Sequence, residues 1–208
     1  MEAGTKDKMD LSVTTLPFPD FLLGDPTEVA QRLLGCFIVR EFSRGEKAVV
    51  RIVETESYDE TDPASHAFGG VRARNAVMFG PSGHFYVYFT YGMHYCCNIV
   101  TGQTGTGSGV LIRAAEPIHG TELIEMYRGK TGTQVTNGPA KLCQALQIDR
   151  SFNGHDARQS PLRLFAGPPV PKDDIITTTR IGISKAKDEP RRFYIASSPY
   201  VSVRAANI

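Results

Sequence analysis

Phe85-Tyr86-Val87-Tyr88-Phe89-Thr90-Tyr91-Gly92-Met93-His94-Tyr95-Cys96-Cys97-Asn98-Ile99-Val100 is the stretch that decides the fold. Its two halves, 85–90 and 93–100, are dense in aromatic and β-branched residues and meet at Tyr91-Gly92, so they read as a β-hairpin. Working outward, 36–40 and 48–58 form a second strand pair around the polar turn Ser43-Arg44-Gly45. A further strand, 110–114, follows Gly105, Gly107 and Gly109. Those glycines match neither dinucleotide nor P-loop spacing and read as a flexible hairpin loop. Asp25-Pro26-Thr27-Glu28 resembles a capping box with proline at the first helical position, and Gly35 is the expected C-cap. Helices are expected at 121–128 and 139–146, and strands at 162–165, 175–183 and 193–203. Nothing repeats, and strands and helices do not alternate as regular βαβ units. The fold class predicted is α+β: a single mixed domain with a largely antiparallel curved sheet, flanking helices and a protruding β-hairpin.

The 208 residues, 41% of them hydrophobic, suffice for one core. Residues 1–15 are polar and aperiodic and read as a flexible N-terminal tail, with a single domain over 16–208. No apolar stretch approaches the roughly 20 residues that span a bilayer, and MEAGTKDKMD lacks the order of a secretory signal. The expectation is an intracellular protein with no membrane partner, in the cytoplasm or nucleoid of a bacterium, or otherwise in a nucleus or organelle. Cys36, Cys96, Cys97 and Cys143 are expected to be reduced, with adjacent Cys96 and Cys97 on opposite faces of a strand. The net charge of +1 requires any nucleic-acid surface to be a local patch.

Alternation along Val53-Glu54-Thr55-Glu56-Ser57-Tyr58 puts Glu54, Glu56 and Tyr58 on one strand face, neighbours about 6.6 Å apart. Two carboxylates beside an aromatic suggest glycoside chemistry; the same pattern also describes a solvated face with salt-bridged glutamates. The aromatics of 85–95 can stack on an unpaired base or simply fill a core. Over 59–81 the hydrophobic pattern disappears and Gly69, Gly70, Arg72 and Arg74 cluster, which reads as a long loop of the kind that carries function. His84, His94, Cys96 and Cys97 lack zinc-site spacing, and no metal or cofactor is expected.

Read with Ser65-His66-Ala67, Met78-Phe79, Asn98-Ile99-Val100, 110–114, Asn137-Gly138-Pro139-Ala140-Lys141-Leu142-Cys143-Gln144-Ala145-Leu146 and Ser198-Pro199-Tyr200-Val201-Ser202-Val203, these pieces resemble, in order and spacing, the alkyladenine (3-methyladenine or methylpurine) DNA glycosylases from about Leu33 to Val203. The resemblance implies a monofunctional enzyme over 16–208. It would act as a monomer on double-stranded DNA containing damaged purines, extruding 3-methyladenine, 7-methylguanine, hypoxanthine or ethenoadenine and hydrolysing the N-glycosidic bond to leave an abasic site. It makes Glu56 the base that activates water, Glu54 its support, and Arg113 the arginine holding that water and its neighbours. Tyr58, His66 and Tyr88 become the walls around the extruded base, Asn98 the pocket residue that crowds the amine of a normal guanine, and Tyr91 the intercalating residue; separately, Asn137-Gly138-Pro139-Ala140-Lys141 places a helix N-terminus and Lys141 together as a site for one phosphate. Arg72, Arg74, Arg191 and Arg192 are further basic candidates for phosphate. The chain departs from the family in a loop one residue shorter before His66, and in His94 where an aromatic is usual. A catalytically silent damage sensor would need no Glu56, and a sugar hydrolase using Glu54 and Glu56 would be competed by soluble glycosides.

Overall fold

The computed structural model describes residues 13–90 and 92–205. Its strands are β1 (Phe37–Glu41), β2 (Lys47–Asp59), β3 (Phe85–Thr90), β4 (His94–Val100), β5 (Ser108–His119), β6 (Leu162–Phe165), β7 (Ile175–Thr178) and β8 (Arg192–Ile195). The helices are α1 (Pro26–Arg32), α2 (Thr121–Arg128) and α3 (Pro139–Ala145).

All pairings are antiparallel, in the order β3-β4-β5-β2-β1-β6, with β8 also on β2 and β7 on β8. The long β2 is the pivot. One edge carries β5 along most of its length; the other carries β1 over its first half and β8 over Glu54–Glu56. Register shifts in the β2–β5 ladder at Val49/Val50, Ile52/Glu54 and Glu54/Thr55 bend the strand, and the sheet curls there. The mixed antiparallel class read from the sequence is the one observed. The β3–β4 hairpin protrudes, with Phe89 and Met93 mostly exposed near its tip.

The core lies between the inner sheet face and the helices. Ile38, Val50, Ile52, Cys97, Ile99 and Ile112 meet Val29, Leu33 and Leu34 from the α1 region and Leu142, Cys143 and Leu146 from the α3 region. Each such aliphatic side chain contributes about 1.5–3 kcal/mol by burial. Val13 belongs to a smaller cluster with Val39, Val49 and Phe165; residues 1–12 lie outside the described residues. The four cysteines are free and buried, Cys97 in the core and Cys96 facing the cavity described below. Among the described residues no helix is long and apolar enough to cross a membrane.

Several boundaries differ from the sequence reading. Asp25 caps α1 by accepting from the Thr27 and Glu28 amides, but Leu33, not Gly35, closes the helix. Gly35, at φ +86°, donates instead to Ile52 O, and a Cβ there would come within 2.9 Å of Pro168 O. Strand β5 runs on through Pro117, which pairs with Val50 at a register shift where a lost donor is tolerated. Strands β7 and β8 stop at Thr178 and Ile195. Beyond them, the Ile181 and Ser202 amides donate to glutamate side chains, so the backbone is satisfied without a ladder.

Candidate active site

Glu54 and Glu56 share the face that period-two alternation assigns them, but the face is not solvated. Both side chains are 0% exposed. The curl of β2 over β5 brings Arg113 between them, with Nε 3.3 Å from Glu54 Oε1 and one terminal nitrogen 3.2 Å from Glu56 Oε1. Burial works against the Arg113 charge; Glu56 and then Glu54 outweigh it and hold the guanidinium above its ordinary pKa.

The two carboxylates are satisfied differently. Glu54 Oε1 accepts from Arg192 (2.7 Å), Ser202 Oγ (2.9 Å) and Arg113, and Oε2 from the Ser202 amide (2.6 Å), and the side chain does not line the cavity described below. Glu56 Oε1 takes Arg113 and the Ile181 amide (2.8 Å), while Oε2 takes the Tyr58 hydroxyl alone (2.7 Å). A carboxylate oxygen can accept two hydrogen bonds, and among the described residues Oε2 accepts one, on a side chain that lines the cavity described next. Burial, then the charge of Glu56, raises the Tyr58 pKa well above its ordinary value, so the hydroxyl stays a donor to that carboxylate.

Glu56, Tyr58, His66, Tyr88, Asn98 and Arg113 all line one cavity of about 570 Å³. This lies within the roughly 300–1,000 Å³ of small-molecule sites. His66 and Tyr88 meet edge to face, with ring centroids 4.5 Å apart, and Tyr86 stacks on Tyr88 at 5.6 Å. Tyr86 OH also bonds His66 Nδ1 at 3.0 Å. Tyr86 was not singled out in the sequence, although its spacing of two from Tyr88 on β3 places both on one face. The loop that brings His66 to this wall is pinned by fully buried Asn75, which donates to His66 O (2.7 Å) and Gly70 O (3.1 Å) and accepts from the Arg72 amide (2.6 Å). Asn98, on β4 opposite Leu111, donates to Tyr86 O at 3.3 Å. Burial, then Arg74, lowers the His66 pKa, which favours the uncharged ring. Burial raises Cys96, on the same wall, to about 11, so its thiol is unionised at neutral pH.

Other candidates fall elsewhere. Lys141, in the first turn of α3, donates to Asn137 Oδ1 at 2.8 Å and does not line the cavity, although neighbouring Pro139 does. Arg192 is not a phosphate contact: it is buried on Glu54, Thr179 O and Val203 O. Arg191 pairs with Asp59 and Glu189, whereas Arg72 and Arg74 are exposed. Tyr91 lies outside the described residues. His84 and His94 stand at opposite ends of the hairpin, and His84 Nδ1 bonds Pro81 O. Sequence reasoning missed the Ile181 amide, Ser202 and Arg180, because their partners are 125, 148 and 118 residues away.

The cavity thus joins a buried carboxylate, a fixed positive charge beside it and a wall of aromatic rings. Comparison with known proteins gives that arrangement a family. The methylpurine-DNA glycosylase family matches residues 20–199. Relatives named "Putative 3-methyladenine DNA glycosylase" occur in Carboxydothermus hydrogenoformans (51% identical, 88% of this chain and 96% of that protein) and Methanoculleus marisnigri (47%, 91% and 100%). Another so named, from Francisella tularensis subsp. tularensis, is 45% identical over 84% of this chain and 92% of its own. The chain belongs to the methylpurine-DNA glycosylase family. Membership places it among the DNA glycosylases, which hydrolyse N-glycosyl bonds in DNA.

Proposed function

We propose that this chain removes alkylated or deaminated purines from double-stranded DNA by base flipping, using a water activated by Glu56, and leaves an abasic site. The observation that carries this reading is Glu56, buried beside Arg113 and lining the cavity, with the Tyr58 hydroxyl its one partner on Oε2 among the described residues. Cleavage develops positive charge on the sugar, so a carboxylate that accepts a proton from water also stabilises that charge. Tyr58, His66 and Tyr88 supply rings for an extruded purine, and an uncharged His66 does not repel a cationic alkylated base. Asn98 crowds the exocyclic amine of a normal guanine. Tyr91 fills the gap in the duplex left by the flipped nucleotide, and Lys141 exchanges Asn137 for a phosphate. The functional unit is 16–208, acting as a monomer inside the cell.

The test is excision by the purified protein on duplexes each carrying 3-methyladenine, 7-methylguanine, hypoxanthine or ethenoadenine, with EDTA throughout. The expected products are free base and an unbroken strand with an abasic site, and borohydride traps no covalent adduct. No release from any of the four duplexes overturns the reading, and a trapped lysine adduct overturns water as the nucleophile.

His66 makes the reaction pH-dependent with a defined sign. Its pKa lies below the ordinary histidine value of about 6.5, so the neutral form prevails above that value and the charged form appears on acidification below it. Excision of a cationic lesion is therefore expected to fall with acidification as the ring charges. Arg74→Ala removes a charge that opposes protonation and should move the His66-dependent limb to higher pH. Single-turnover rates against pH check this, and an unmoved limb contradicts it.

A further inference from the structure

Behind the pocket wall, outside the chemistry described so far, Arg180 and Asp62 form an ion pair with both side chains fully buried. A second guanidinium nitrogen meets Asp62 Oδ1 at 3.1 Å. Arg180 also donates to Ser57 O at 3.1 Å, and its guanidinium carbon lies 4.7 Å from the centre of the Tyr58 ring. Tyr58 lines the cavity and Arg180 does not, so the guanidinium backs the ring.

Both residues reach the site through their neighbours. Asp62 Oδ1 accepts from the Ala64 amide at 2.9 Å, and its carbonyl accepts from the Ser65 amide at 2.9 Å, in the turn that leads into His66. Arg180 precedes Ile181, whose amide holds Glu56 Oε1 at 2.8 Å. Its guanidinium also reaches Ala186 O, folding the 181–186 segment that supplies one rim of the cavity. Replacing a buried ion pair by uncharged residues is often neutral for stability, so stability alone does not account for a pair joined to so many parts of one site.

We propose that Arg180 and Asp62 are a positioning pair: one buried contact sets Tyr58 in the base-binding wall, the approach to His66, and the Ile181 amide on Glu56. The proposal rests on the excision reading above. It makes the pair a determinant of how a base is held and attacked, with no direct contact to DNA.

The test uses Asp62→Asn/Arg180→Met, which removes both charges together and leaves neither unpaired. Asn keeps an acceptor for the Ala64 amide, and Met keeps an unbranched stem behind Tyr58. Single-turnover excision at saturating enzyme is expected to fall about 100-fold, the scale on which misplacement of reacting groups acts. Affinity for a duplex with a tetrahydrofuran abasic analogue, which places no base against Tyr58, should stay within about twofold, by the argument that phosphate contacts carry this binding. Arg180→Lys, which keeps the charge but loses the planar guanidinium behind the ring, should show the same split more weakly, and serves if the double variant does not fold. A folded variant that excises at the wild-type rate overturns the proposal. So does an equal loss of affinity for the tetrahydrofuran duplex, which would mean a damaged DNA surface. Wild-type protein that excises nothing overturns the functional reading and this proposal together, whereas an active wild type beside an equally active variant overturns the proposal alone.

Discussion

Glu56→Gln is expected to bind lesion-containing duplex within a few-fold of wild type and to lose excision by at least about 100-fold, as for removal of a general base. The substitution preserves the site's shape. The Gln carbonyl oxygen can accept from the Ile181 amide and Arg113 as Glu56 Oε1 does, and its amide can donate to a rotated Tyr58 hydroxyl. What is lost is the remaining acceptor site for water and the negative charge facing the sugar. A 100-fold loss corresponds to about 2.7 kcal/mol of transition-state stabilisation. Glu56→Asp keeps the charge but withdraws it by one methylene from the water, and should also slow the reaction. Single-turnover kinetics with a defined lesion measure both variants. Wild-type turnover by Glu56→Gln would end the case for water activation at this residue.

Glu54→Ala is expected to have the largest effect on stability, because Glu54 accepts from Arg113, Arg192, Ser202 Oγ and the Ser202 amide with none of its side chain exposed. Removing one partner of a buried ionic network costs about 3–5 kcal/mol, chiefly through the charge left unpaired. Here Arg192 loses its carboxylate and Arg113 keeps only Glu56. Against a typical domain stability of about 5–15 kcal/mol, this is a large fraction of the whole. Urea denaturation should show a large fall in midpoint with little change in slope. A loss below about 1 kcal/mol would show that the network does not support the fold.

The elements legible in the sequence are those whose signals are local. The Phe85–Val100 hairpin, the cap at Asp25-Pro26 and the common face of Glu54, Glu56 and Tyr58 follow from turn chemistry, capping and strand alternation. The readings that missed are those in which a side chain replaced a backbone partner. The 179–183 and 196–203 segments carry strand-like residues, yet their amides answer Glu56 and Glu54. Arg192 looks from its neighbours like a solvated loop cation, and only its position opposite Glu56 on β8 delivers it to Glu54.

The sequence by itself determined the class of fold, the family and six of the residues that line the cavity, because periodicity and motif order survive without knowledge of contacts. Tertiary structure alone decided that the two glutamates are buried, that Arg113 lies between them, and that Glu56 lines the cavity while Glu54 does not. It also decided that Arg180 stands behind Tyr58 on a carboxylate 118 residues away. The physical reason is range: alternation assigns a face over a few residues, whereas desolvation and ion pairing depend on which distant strand the curled sheet brings across that face.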